Sequence, residues 1–258
     1  MKKYNGEKYI VSFTTFPKRY EMAAKMVYNL LVNSTYKDFH IVCTLYKEDY
    51  EKLRGNFKLL IDSDILEVIV AEENLCPHLK YFYAMLKYGD MPIITVDDDR
   101  LYGSNLIESL VSKYESLDYK SVVSTCAPVI SRNILPISTW CTGECRLKPN
   151  RKSYFAMAEG FGGVLYPPNS FSSLEDHIPD IKDCLFHDDI YLKLLEIDNG
   201  LPVTQINGTV FDVIGVLGEM PGAELTNLAH HNNAPMDYRI EVIKKNKAKL
   251  EGMFAKYA

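Results

Sequence analysis

Across the first 125 positions the chain alternates between short apolar runs and apolar stripes spaced three or four residues apart. The runs are Tyr9–Thr14, Phe39–Leu45, Ile65–Val70, Pro92–Val96 and Ser121–Thr125. Between them lie stretches of helical period at Tyr20–Val32, Lys47–Leu60, Leu79–Tyr88 and Leu106–Leu117. Strands that alternate with helices build βαβ units, and runs without polar alternation suit strands covered on both faces. The pattern therefore predicts an α/β fold: a Rossmann-like, mostly parallel central sheet flanked by helices. The fourth run ends abruptly at three adjacent carboxylates, Asp97, Asp98 and Asp99.

The second half is less regular. Residues 127–153 hold three prolines and a basic cluster (Arg146, Lys148, Arg151, Lys152), which reads as a long loop or hairpin. Long irregular stretches in compact domains are often functional. Phe161–Pro168 reads as a glycine-led strand, Asp188–Glu196 as an amphipathic helix, and 208–233 as a glycine-punctuated segment. Asp237–Lys256 reads as a closing helix. No repeat or linker interrupts the 258 residues, so a single domain is expected.

Charge and composition narrow the function. Hydrophobic residues at 47% and charged residues at 24% exclude a disordered tail, a collagen-like repeat or a coiled coil. The net charge of −5 argues against a protein that grips nucleic acid through its phosphates. No apolar run approaches the ~18 residues of a membrane span. The apolar stretch Tyr9–Phe13 is too short for a signal-peptide core, so a cytoplasmic protein is expected. The six cysteines read as reduced thiols, because the Cys141/Cys145 pair lacks the second pair a zinc site needs.

Ligands of open parallel sheets bind at the carboxyl ends of strands, where Asp97–Asp99 fall. On an extended chain alternate residues face one way, so Asp97 and Asp99 are expected to share a site while Asp98 turns aside. Two carboxylates plus phosphate oxygens suit Mn²⁺ or Mg²⁺; the plain alternative is a turn cap. His187-Asp188-Asp189 is a second acidic cluster at a helix start, where aspartates also serve as ordinary caps.

Taken in order, four segments resemble a GT-A fold glycosyltransferase: Ser12-Phe13-Thr14-Thr15-Phe16-Pro17-Lys18-Arg19, Ile93–Asp99, Gly160–Leu165 and His187–Asp189. The likeness is greatest to small bacterial enzymes that build surface polysaccharides, and it covers roughly residues 8–235. It implies a nucleotide-sugar-binding half (1–125), an irregular acceptor and catalytic half (126–235) and a C-terminal basic helix (236–258). It matches Asp97 and Asp99 to a D-x-D motif holding Mn²⁺ or Mg²⁺ against the donor diphosphate, with His231, or its neighbour His230, as a late ligand. Thr14, Phe16, Pro17 and Arg19 match the loop that cups the nucleotide. Lys80 and Asp98 fall beside the donor, and Gly162 and Gly163 match a segment close to the sugars. Asp189, favoured over Asp188, matches the catalytic base of inverting members.

The activity implied is hexosyl transfer from a nucleotide-sugar, a UDP-sugar favoured, to a glycan or lipid-linked acceptor. A nucleotidyltransferase is a second reading, but the Thr14–Arg19 loop lacks the glycine such enzymes usually carry there. A non-catalytic carbohydrate-binding protein of the same fold is a third. The final helix carries Arg239, Lys244, Lys245, Lys247, Lys249 and Lys256. A basic amphipathic helix can lie on the inner face of an anionic membrane, though more often its apolar side docks and its charges face water.

Overall fold

A computed structural model describes residues 8–130, 147–206 and 241–257. Its centre is one eight-stranded sheet. In chain order the strands are β1 (Tyr9–Thr14), β2 (Phe39–Tyr46), β3 (Glu67–Ala71), β4 (Ile93–Thr95), β5 (Val122–Ser124), β6 (Lys152–Ser153), β7 (Val164–Tyr166) and β8 (Val203–Gln205). In space they run β3-β2-β1-β4-β7-β5-β8-β6. The pairs β2/β3, β1/β2, β1/β4 and β5/β8 are parallel. β7 is antiparallel to both β4 and β5, and β6 is antiparallel to β8. The expected α/β class, with a mostly parallel sheet flanked by helices, is the one found.

β1 is buried at five of its six positions, as a strand covered on both faces should be. One face packs against α1 (Tyr20–Asn33), α3 (Gly55–Asp62) and α5 (Leu106–Ser116), where Phe13, Tyr20, Met26, Phe57, Leu110 and Tyr114 form a continuous core. Tyr20 and Phe57 stack at 4.9 Å between ring centroids. Another core gathers Tyr81, Phe82, Tyr166, Ile190, Leu194 and Met253 around α7 (Asp188–Asp198). Each such side chain contributes roughly 1.5–3 kcal/mol on leaving water.

Several boundaries differ from expectation, each for a local reason. The helix expected over Lys47–Leu60 is two, α2 (Lys47–Tyr50) and α3, because residues 51–54 leave the helical path, Arg54 is extended at φ −158°, and Gly55 opens α3 at φ +61°. The helix expected over Leu79–Tyr88 begins as a 3-10 turn, Cys76–Lys80, before α4 (Phe82–Tyr88). The strand expected from Phe161 starts only at Val164, since Gly160–Gly162 forms a 3-10 turn and Gly163 has φ +91°. β6, β8 and α6 (Ile178–Lys182) are too short to show a period.

In the closing helix, residues 241–245 are helical, Asn246 turns, and α8 runs Lys247–Tyr257. α8 docks on the body by stacking Tyr257 on Tyr154 at 3.8 Å and Phe254 on Phe155 at 4.8 Å. Lys245 pairs with Asp183 and Lys249 with Asp198, while Lys244, Lys247 and Lys256 are exposed. Among the described residues no helix is long and apolar enough to cross a membrane.

Candidate active site

The carboxyl end of β4 lies beside the chain leaving β1, and Val96 N–H still bonds to Ser12 C=O at 3.0 Å. There the strand ends, and Asp98 and Asp99 sit in a turn. Strand alternation does not extend past Thr95, and one part of the expectation is corrected: Asp98 is not turned aside from Asp99. Arg19 spans Asp98 and Asp99, with Nη1 2.9 Å from Asp98 Oδ1 and Nη2 on Asp99 Oδ2. Thr15 Oγ1 donates to Asp98 Oδ2 at 2.7 Å. Asp97 instead accepts from Lys80 Nζ at 3.1 Å, and its side chain is 29% exposed.

The electrostatics follow from this division. Burial pushes the Asp98 carboxyl up to about 7 against the pull of Arg19. Burial also raises Asp99, and the Asp97 charge adds to it. Asp99 Oδ1 is buried with no hydrogen bond. Arg100 Nε, 3.6 Å from that oxygen, is likewise without one, and its guanidinium lies 5.4 Å from the Phe161 ring centroid.

Among the described residues no three His, Cys, Asp or Glu side chains gather as a metal site. Two carboxylates, one with an orphaned oxygen, do suit a hard dication whose other ligands are phosphate oxygens and water. His230 and His231 lie outside the described residues, as do Trp140, Cys141 and Cys145. Cys43, Cys76 and Cys184 are free thiols.

The second cluster opens α7. Asp188 is buried with its Oδ2 2.7 Å from Lys80 Nζ. Burial opposes its ionisation, but Lys80 and then His78 outweigh that and hold its carboxyl below the usual range. Asp189 is partly exposed, and its Oδ1 accepts from Gly160 N–H at 2.9 Å. Burial and the Asp188 charge push Asp189 well above the usual range. Lys80 joins the two clusters. Burial works against its charge, yet Asp188, Asp97 and Asp189 together keep it protonated.

The other expected residues fall nearby. Thr14 Oγ1 donates to Thr44 C=O at 2.8 Å, Phe16 lies under the Arg19 guanidinium at 5.5 Å, and Pro17 C=O accepts from Arg54. The room left by the missing side chain of Gly162 is taken by Thr125, and that of Gly163 by Leu106. Gly160 was not singled out, yet a Cβ there would come within 2.5 Å of Lys80 Nζ and 3.1 Å of Asp189 Oδ1. Thr15, Arg100 and Tyr102 were also missed. Only Arg100, directly after the aspartates, carried a sequence cue.

No family model matches the chain, and no curated protein matches it in sequence. Among solved structures it is similar to S. aureus TarS residues 1–349, with TM-score 0.46 and 13% identity over 78% of this chain and 58% of that one. It is also similar to UDP-glucose pyrophosphorylase from Acinetobacter baumanii (TM-score 0.47, 11% identity, 93% and 99% covered). A third is glucosyl-3-phosphoglycerate synthase from Mycobacterium tuberculosis in complex with Mg²⁺ and UDP (TM-score 0.45, 11% identity, 79% and 70% covered). The chain thus spans little more than half the length of the TarS chain it matches.

Proposed function

We propose that this chain is a metal-dependent glycosyltransferase. It moves a sugar from a nucleoside-diphosphate donor, a UDP-sugar favoured, to a hydroxyl of a glycan or lipid-linked acceptor with inversion at the anomeric carbon. The observation that carries the reading is the pairing of two acidic clusters through one buried lysine. Lys80 Nζ stands 3.1 Å from Asp97 and 2.7 Å from Asp188, which leaves Asp189 as the accessible carboxylate of the second cluster.

In this reading Asp97 and Asp99 hold Mn²⁺ or Mg²⁺, whose charge would offset that developing on the leaving diphosphate. Arg19 is already engaged by Asp98 and Asp99, so it shapes that end of the site more than it meets phosphate. Arg100, whose guanidinium lies over the Phe161 ring and whose Nε is 3.6 Å from Asp99 Oδ1 without a hydrogen bond, is the more loosely held guanidinium and the better oxyanion partner. Asp189 takes the acceptor hydroxyl proton as the new C–O bond forms and the bond to the diphosphate oxygen breaks. A carboxylate with raised proton affinity is suited to that task. Residues 1–125 would hold the donor and the half after 126 the acceptor.

The test is a thermal-shift titration with UDP, GDP, CDP and ADP, each with and without Mn²⁺. A ligand at 100 times its Kd stabilises by about 2.7 kcal/mol. The expected result is a manganese-dependent shift with UDP that Asp99→Ala erases, and UDP release from a UDP-sugar that EDTA suppresses. No shift with any nucleotide would overturn the reading, and pyrophosphate release from a nucleoside triphosphate and a sugar phosphate would replace it with a nucleotidyltransferase.

A further inference from the structure

We propose that Tyr102 is a positioning residue that fixes the separation between the two carboxylate clusters; this rests on the transferase reading above. Tyr102 is 2% exposed. Its hydroxyl accepts from the Asp97 backbone N–H at 2.8 Å and donates to the Phe161 C=O at 3.2 Å. Its own N–H donates to Asn29 Oδ1 on α1 at 2.9 Å, which anchors the backbone from which the ring projects.

Phe161 lies inside the 3-10 turn whose first residue, Gly160, donates to Asp189 Oδ1. The far side of that turn is held where Thr125 Oγ1 donates to Gly162 C=O at 2.8 Å. A continuous path therefore runs from the Asp97 backbone through the phenol and the turn to Asp189.

Lys80 supplies the other path between the same clusters, and the two close a ring. They differ in kind. The Lys80 path ends on carboxylates, for which a bound cation or phosphate competes. The Tyr102 path rests on backbone groups at both phenol bonds and meets a side chain only where Gly160 N–H donates to Asp189, so no substrate group displaces the phenol's own two bonds. When Asp97 turns toward a ligand, the spacing between donor and base is left to the phenol. Displacement of about 1 Å between reacting groups can cost ~100-fold in rate.

The test compares Tyr102→Phe with the full wild-type chain. The substitution keeps the ring and deletes both bonds. Ser121→Ala is the control, since it loses buried bonds to Pro202 C=O and Thr204 away from the site. With UDP-glucose and UDP-GlcNAc as probes, Tyr102→Phe should lower kcat for UDP release by ~10- to 100-fold with KM within about twofold. Ser121→Ala should leave both unchanged at a similar loss of Tm. Amide hydrogen exchange should quicken in Tyr102→Phe at both 94–98 and 160–164. Unchanged kcat, a rise in KM alone, or faster exchange in one segment only would overturn the proposal. If the wild type neither binds UDP nor releases it, the transferase reading fails. The exchange result then still decides whether Tyr102 couples the clusters.

Discussion

Asp188 and Asp189 are neighbours in sequence with opposite surroundings. Asp188 is sealed against Lys80 and holds its charge, whereas Asp189 is partly exposed and binds protons unusually well. Asp189→Asn should therefore cut transfer by about 10²–10⁴-fold while UDP affinity stays within a few-fold, measurable by initial rates and calorimetry. Asp188→Asn should show itself in stability as well, because it leaves a buried ammonium with one partner fewer. Gly160→Ala should retain the fold but lose most transfer, since its methyl would collide with Lys80 Nζ. The acidic residues were legible because carboxylates cluster conspicuously in a sequence. Tyr102, Thr15 and Gly160 were not, because one hydroxyl or one absent side chain leaves no period and no motif. The facing of Asp98 was misjudged because strand alternation was carried four residues past Thr95.

α7 contains a test at the scale of one element. Lys193 and Glu196 form an ion pair at 3.1 Å and are almost wholly buried. Glu196→Ala should destabilise by about 3–5 kcal/mol in urea titration, whereas Lys193→Met with Glu196→Leu should cost little, because no charge is then left unpaired. A second test lies where β2, β3 and α4 meet. Glu67 accepts from Lys87 at 2.6 Å, Tyr88 at 2.7 Å and His40 at 2.8 Å. Burial resists its ionisation, and these three partners overcome that, so its carboxyl is held below the usual carboxylate range. A depressed carboxylate stabilises above its unfolded pKa and loses that contribution as pH falls through the folded value. Glu67→Gln should thus shift Tm most near neutrality and progressively less below about pH 4.5. Long, strongly periodic elements such as α1 and β2 were readable within a residue or two. Their breaks were not, since Gly55, Cys76 and Gly163 act through single positive φ angles that hydrophobic spacing does not register.

For the whole molecule, α8 serves as a strut on the half that carries Tyr154 and Phe155. Phe254→Ala should lower stability by roughly 1–3 kcal/mol through the lost stack. Lys249→Glu should cost less than about 1 kcal/mol, and less still at high salt, since its pair with Asp198 is part-exposed. The mostly parallel architecture was readable from alternation alone, but the reversal of β7 was not, because nothing in the pattern of Val164–Tyr166 records direction. That reversal bears on the order of synthesis. β5 finds both its neighbours, β7 and β8, only in later parts of the chain. A ribosome that has released residues up to 125 has made four strands able to pair among themselves and a fifth that must wait. The vacancy between β4 and β5 is filled from 40 residues downstream, so the amino-terminal half matures only after its successor has emerged.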